Sequence, residues 1–565
     1  MLAFLLFLIG FFPLVWVYGR AGVSLAARLS AAAPRADWAL TAWVGLAMLS
    51  TLANLLALLM PLSAAALLIT LVIALTAALA LRCTLWLGLP ALRLPRGWGW
   101  LAAGLALAAL AAVLENATHT PANFDSGLYH AQTIRWFETY RIVPGLGNLH
   151  SRLAFNSSWL VLSALFSLAF TGLQSFHLIP GALFALVVLD GARGALRLLR
   201  GELSMANWLR LLLLPLAFYI LGAEISSPGT DMPGILIAWS LAALWLERPA
   251  RGEERLTALL LALTAVYLVT IKLSLGVFLL LVPLAWLRGG RGLRLAGQII
   301  LGGALVALPW MAHSVILSGY LVYPLAAVDL FNVDWKIPIA KVREEVNVIR
   351  AWARFPDMDR TQALEMPLER WLKLWFLEHT VNQRLILLAA ASSPLLSGAA
   401  ALWTRLRRHW AYSAAAAAQL YAVTLLSGLY WLYNAPDLRF GYGILLLLIT
   451  LPLAWGLWLA GAAWRAPADW LARAAVLAVG VYLLSFLARS FQADSLAQRW
   501  LLPMPYPSLP SEPCDLDGRT IFCPAEISYT QCWYGPFPCV PSARSDVYLR
   551  GSDFADGFSA YPRGE

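Results

Sequence analysis

Apolar residues run along most of this chain in blocks of about 16 to 22 positions, long enough to cross a ~30 Å hydrocarbon core as helices. The blocks lie near 2–18, 38–59, 62–82, 98–114, 174–190, 207–223, 231–247, 256–271, 273–288, 296–317, 384–402, 411–431, 444–462 and 470–488. They predict an all-α polytopic membrane protein with about 14 transmembrane helices. A shorter block, 158–170, is ambiguous, and if it crossed, every later loop would change sides. The first block has neither a basic leader nor a small-residue cleavage site, so it reads as a retained helix.

Charge arbitrates the topology. With the opening stretch outside and 158–170 lying along the surface or re-entering, the inside loops are short and basic. They hold Arg20, Arg28 and Arg35; Arg93 and Arg96; Arg193, Arg197 and Arg200; Arg248, Arg251 and Arg255; Arg291 and Arg294; Arg405, Arg407 and Arg408; and Arg465 and Arg473. Basic residues mark the cytoplasmic side, so both termini are expected outside. Cysteines agree. Cys514, Cys523, Cys532 and Cys539 cluster in a Pro- and Gly-rich tail with no C-x-x-C spacing and no nearby histidine. That pattern favours two disulfides in an oxidising compartment over zinc, and four cysteines leave three pairings open.

Polar residues then gather on the outer face. The stretch "NFDSGLYHAQTIRWFETYR" (123–141) continues through "VPGLGNLHSRLAFNSS" (143–158). It is followed by "ISSPGTDMP" (225–233), "TIKLS" (270–274), the loop 318–383 and "YNAPDLRFGYG" (433–443). The inside loops hold little but arginine. Ionisable groups at membrane depth are costly and usually mark a site or pathway. Asp125 stands where it either caps the helix starting at Ser126 or serves a site, and Asp231 is similarly placed for the next helix. His130 either packs on Trp136 or joins Asp125. Lys272, the one lysine in any expected membrane segment, suits an anionic ligand, and Arg439 either pairs with Asp437 or meets a phosphate. Arg135 reads as a lipid-headgroup or phosphate partner.

Composition strengthens the membrane reading, with 60% hydrophobic and only 13% charged residues. Mean hydropathy is +0.70. The net charge of +10 is explained by the inside loops and needs no nucleic acid. The chain divides into N-terminal helices (1–97), a transmembrane core (98–488) with outer loops 115–173 and 318–383, and an extracytoplasmic cysteine-bearing tail (489–565).

The helix 98–114, the acidic outer loop after it and the later basic loops resemble the GT-C class of integral-membrane glycosyltransferases. "DSGLYHAQTIRW", "VPGLGNLHSRLAFNSSW", "SSPGTD", "TIKLS", "DWKIP" and "CWYGPFPCVP" look like a bacterial membrane family of that type. The resemblance covers roughly 98–565 and implies sugar transfer from a polyprenyl-phosphate donor to a glycan, lipid or protein acceptor. The site would face the outside of the bacterial inner membrane.

By position Asp125 matches the first-loop acid that acts as general base or orients the acceptor, although a lone Asp followed by Ser126 replaces the paired acids of many relatives. Lys272, Arg439 and Arg135 would hold the donor phosphate. Tyr129, His150, Asn156, Asp231 and Asp437 would shape the acceptor side. His130 would orient the acceptor, or join Asp125 at a divalent metal (Mg or Mn) in a metal-dependent version. Rival readings are a flippase or transporter of a lipid-linked saccharide, a glycan ligase or polymerase, and a scaffold that docks a partner through its tail.

Overall fold

The computed structural model describes residues 1–30, 32–88, 95–406, 412–526 and 530–562. Arg93, Arg407 and Arg408 of the charge pattern lie outside the described residues. The fold is mostly helical. Among the described residues ten helices are long and apolar enough to cross a membrane. They are Leu2–Ser30, Trp38–Leu59, Gly99–Ala117, Met205–Glu224, Glu254–Ile271, Leu293–Ser318, Val381–Leu406, Tyr412–Asn434, Leu438–Ala463 and Arg465–Ser490.

The other four expected spans take different forms. Ala64–Ala80, Asp231–Leu246 and Leu273–Arg288 are shorter apolar helices. The block at 174–190 becomes the helix Ile179–Leu199, which includes Asp190, Arg193 and Arg197. The ambiguous block folds as Ser158–Leu165, eight residues all buried in the bundle. At 1.5 Å per residue it rises only ~12 Å, under half of the hydrocarbon thickness.

The first helix runs on to Ser30, through a stretch expected to be loop. Arg20 is tolerated inside it because its guanidinium donates to the carbonyls of Pro34 (2.9 Å) and Thr84 (3.1 Å). This helix crosses Trp38–Leu59 at very close range. A Cβ on Gly45 would stand 1.9 Å from the Val15 carbonyl oxygen, and one on Gly19 would stand 2.1 Å from that of Thr41.

Charged residues gather at both ends of the bundle, contrary to the expectation that polar groups stop at one face. At one end Arg210 bonds Asp190 (2.8 Å) and Glu247 (2.7 Å), and Arg197 bonds Glu247 (3.2 Å). Arg193 pairs with both Asp37 and Asp190. Asp231 stands at the opposite end of the helix Asp231–Leu246 from Glu247, and sixteen residues separate the two ends by ~24 Å. Arg193 and Asp190 are neighbours at i,i+3 on one helix, whereas Asp37 and Glu247 reach these arginines from distant parts of the chain.

The tail departs from an all-α reading. Ser511–Leu516 and Arg519–Pro524 form an antiparallel hairpin closed by Asp517-Gly518, both at positive φ (51° and 79°), as a two-residue hairpin turn requires. A second antiparallel pair joins Tyr548–Leu549 to Phe558–Ser559. The disulfides are Cys514–Cys523 and Cys532–Cys539. The tail begins on the same face as the N-terminal residues, since Leu2 N donates to Trp500 O (2.8 Å) and Met504 N to Thr118 O (2.9 Å). An even number of crossings therefore separates Leu2 from Trp500.

Candidate functional site

Asn123 sets the geometry of the opening polar stretch. Its side-chain oxygen accepts from Ser126 N (3.1 Å), and its amide donates to Glu224 (2.7 Å). The capping role open to Asp125 therefore falls to Asn123, and Asp125 makes no side-chain cap bond. Its carboxylate is left for long-range partners. Ser126–His130 is a single π-turn, a wider turn often met at functional sites.

Two arginines converge on Asp125. Arg152, on the 3₁₀ turn Ser151–Ala154, approaches Oδ1 at 3.2 Å. Arg439, in the first turn of Leu438–Ala463, donates to Oδ2 at 2.7 Å. Asp437 caps that helix by accepting from Arg439 N (2.7 Å), which fixes the start of the helix and so aims the guanidinium. Arg439 Nε also lies 3.3 Å from Asp231 Oδ2, and Lys272 pairs with Asp231 Oδ1. Both of these last groups suit their helix ends: Asp231 lies in the first turn of its helix, and Lys272 follows the last residue of Glu254–Ile271. A continuous chain results, Arg152–Asp125–Arg439–Asp231–Lys272. The flanking acids are engaged, as Glu345 accepts from Ser151 (2.7 Å) and faces Arg152 (3.6 Å).

The chain is reachable. The side chain of Asp125 is 13% exposed and that of Arg439 is 33% exposed. Aromatic rings flank the cations: Phe440 lies 4.6 Å from the Lys272 ammonium, and Trp352 lies 5.7 Å from the Arg439 guanidinium. From Asp231 and Lys272 a cleft runs between helices, lined by Ile235, Leu275, Phe278, Phe440 and Ile444. It is apolar with a charged end and has room for about one water.

His130 and Tyr129 are buried beside this chain, with ring centroids 4.2 Å apart. His130 Nδ1 meets Ser126 Oγ (3.2 Å), and its buried Nε2 has no hydrogen-bond partner. Burial pushes the imidazole down to about 4, so it is neutral at pH 7. Burial likewise raises the Tyr129 phenol.

Other residues expected at the site are held elsewhere. Arg135 donates to Gly535 O and lies over the rings of Tyr534 (4.4 Å) and Phe537 (4.9 Å), so the tail takes it. Asn156 and Trp310 exchange side-chain-to-carbonyl bonds, a packing tie. His150 is half-buried next to the turn that carries Arg152, and desolvation of its ring pushes it down to about 4. Tyr140 and Trp136 pack together (5.5 Å), with Phe537 of the tail on Trp136 (4.9 Å). Among the described residues no three His, Cys, Asp or Glu side chains converge as a cation's ligand set. Asp125 and Asp231 already face guanidinium and ammonium groups, so these residues do not fit a metal.

Sequence reading missed Arg152, Asn123, Glu224 and Glu345. Arg152 lay within a quoted stretch, but a loop arginine beside a membrane reads as a headgroup contact. Glu345 lies on the amphipathic helix Ile339–Arg354, where an acid reads as a solvated face.

Ten candidate spans, with a partly exposed ion-pair chain at one end, define a multi-pass membrane protein. The chain belongs to the family described as a domain of unknown function (DUF8201), whose model matches residues 1–446. That match includes the first helices and every member of the ion-pair chain, and it stops before the tail. No curated protein and no solved structure matches.

Proposed function

We propose that this protein is a GT-C-like glycosyltransferase of the bacterial inner membrane, with its site facing the exterior and about 14 crossings. It moves a sugar from a polyprenyl-phosphate donor to an extracytoplasmic acceptor. The observation that carries this reading is the juxtaposition of an ion-paired Asp125 with an apolar cleft that ends at Lys272 and Asp231. The donor phosphate suits Lys272 and Arg439, and an isoprenoid chain enters the narrow cleft only as its lining helices part.

The chemistry follows from charge. A phosphate drawing on Lys272 and Arg439 loosens the bridge from Arg439 to Asp125. The carboxylate then accepts the proton of the acceptor hydroxyl. The acceptor oxygen bonds the anomeric carbon as the C–O bond to phosphate breaks, and the electron pair leaves on polyprenyl phosphate. Fixed cations stabilise that leaving charge, so no protein acid is required. Inversion at the anomeric carbon is expected. Neutral His130 can hold the acceptor through a hydrogen bond without adding charge.

The test is release of polyprenyl phosphate by protein in nanodiscs, given a panel of polyprenyl-phosphate sugars and a crude acceptor pool. Release with transfer of label to acceptor supports the reading. If folded protein releases nothing from any donor, the weight moves to a lipid-saccharide transporter or a glycan ligase.

A further inference from the structure

The tail from Gln531 to Val540 grips the segment between Phe124 and Trp136 at every level. Gln531 Nε2 donates to Phe124 O (2.9 Å). Both Cys532 N and Trp533 N donate to Gly127 O, each at 2.9 Å. The Gln132 side chain spans the loop, donating to Trp533 O (3.0 Å) and accepting from Cys539 N (3.2 Å). Trp533 lies so close that a Cβ on Gly127 would stand 2.4 Å from its ring. Trp533 also sits at φ 44°, a left-handed backbone that a bulky residue adopts only when its surroundings impose it.

These contacts converge on the π-turn Ser126–His130, which Asp125 precedes and whose last residue is His130. A π-turn has one residue more per hydrogen-bonded loop than an α-helix, so it persists only where packing holds it. The packing here comes from the loop closed by Cys532–Cys539, seven positions apart in the chain, in a tail that the family match does not include.

We propose that the Cys532–Cys539 loop is a clasp that positions Asp125 and His130, so that the site works only with this disulfide closed. Gln132 and Trp533 are its positioning residues. The inference rests on the function proposed above for its consequence on turnover, though not for the clasp itself. Reduction by a dithiol adds two electrons and two protons to the S–S bond, gives two thiols and leaves the dithiol as its own disulfide. The loop ends are then free, and the amides at Cys532, Trp533 and Cys539 lose their fixed approach to Gly127 and Gln132.

The experiment compares wild type, wild type reduced with dithiothreitol after reconstitution in nanodiscs, and the variants C532S/C539S and Gln132→Ala. Hydrogen exchange of the peptide covering 124–136 is read alongside polyprenyl phosphate release. The expected result is exchange of that peptide faster by about tenfold or more when the disulfide is open, with the helix Leu438–Ala463 unchanged. Turnover falls up to about 100-fold while KM for the donor stays within about twofold, the split expected of misplaced rather than missing groups. Reduction of already folded protein covers the case in which C532S/C539S fails to fold. Unchanged exchange over 124–136 with the disulfide open overturns the clasp, whatever the activity. Faster exchange with unchanged turnover overturns its positioning role. Faster exchange in a wild type that transfers no sugar leaves the clasp standing and removes the proposed reaction.

Discussion

Arg439 Nη2 lies 2.7 Å from Asp125 Oδ2, although 314 residues separate them in the chain. The same guanidinium faces Asp231 through Nε at 3.3 Å. One side chain therefore ties the first outer loop to the start of a late helix and to the acid that holds Lys272.

Replacing Arg439 by Gln leaves two carboxylates without their shared counter-charge. Loss of a fully buried partner costs ~3–5 kcal/mol, and exposure of Arg439 reduces this to ~1–2 kcal/mol. Turnover should fall by ~10²–10³, as it does when a charge-stabilising donor is removed. Arg439→Lys should fall between the two, because an ammonium cannot span both carboxylates as the planar guanidinium does. Melting in detergent and donor turnover check both values. Equal activity of Arg439→Gln and wild type would detach Arg439 from the chemistry.

Stability should fall with acid over a defined window. His130 and His150 are each pushed down to about 4 by burial, whereas an unfolded histidine titrates near 6.5. Between these values the unfolded chain binds more protons than the folded one. Their contribution is complete above pH 6.5 and is lost as pH falls toward 4. Melting temperature should therefore drop across that range, and His130→Gln should flatten the drop. A melting temperature independent of pH from 7 to 4 would contradict neutral burial.

The opposite end of the bundle offers a structural test. Asp190→Asn leaves Arg210 and Arg193 short of a buried counter-charge and should cost ~3–5 kcal/mol. Asp190→Asn combined with Arg210→Met should recover a large part of that loss. A double-mutant cycle by thermal melting measures the coupling, and strict additivity would dissolve the pair.

Gly45→Val should weaken the crossing of the first two long helices by at least ~1–3 kcal/mol, since backbone lies where the side chain must go. Gly10, with nothing within 4 Å of an added Cβ, is the matched control. Equal melting of Gly45→Val and Gly10→Val would refute the close crossing.

The sequence already shows the helices, because an unbroken apolar block in a bilayer has few alternatives to a helix. It also shows Asp125, Asp231, Lys272 and Arg439 as separate polar points at the ends of apolar blocks, and these four are neighbours in space. What links them was hidden. Arg152 and Glu345 meet only when the outer loops fold over one another. Asp190 and Arg210 satisfy each other across two helices, and each alone reads as a stray charge. Arg135 looks like a phosphate ligand until the tail is seen to cover it. The tail's strands were also hidden among prolines and cysteines, although Asp517-Gly518 is a recognisable hairpin turn.

In the proposed mechanism Asp125 accepts the proton when sugar leaves its lipid phosphate. The most direct measurement compares wild type with Asp125→Asn for polyprenyl phosphate release in nanodiscs, with melting curves showing both proteins folded. Release by wild type that collapses by ~10²–10⁴ in Asp125→Asn, with donor binding retained, is the result expected for loss of a general base. Equal release by the two proteins would contradict it and remove Asp125 from the reaction.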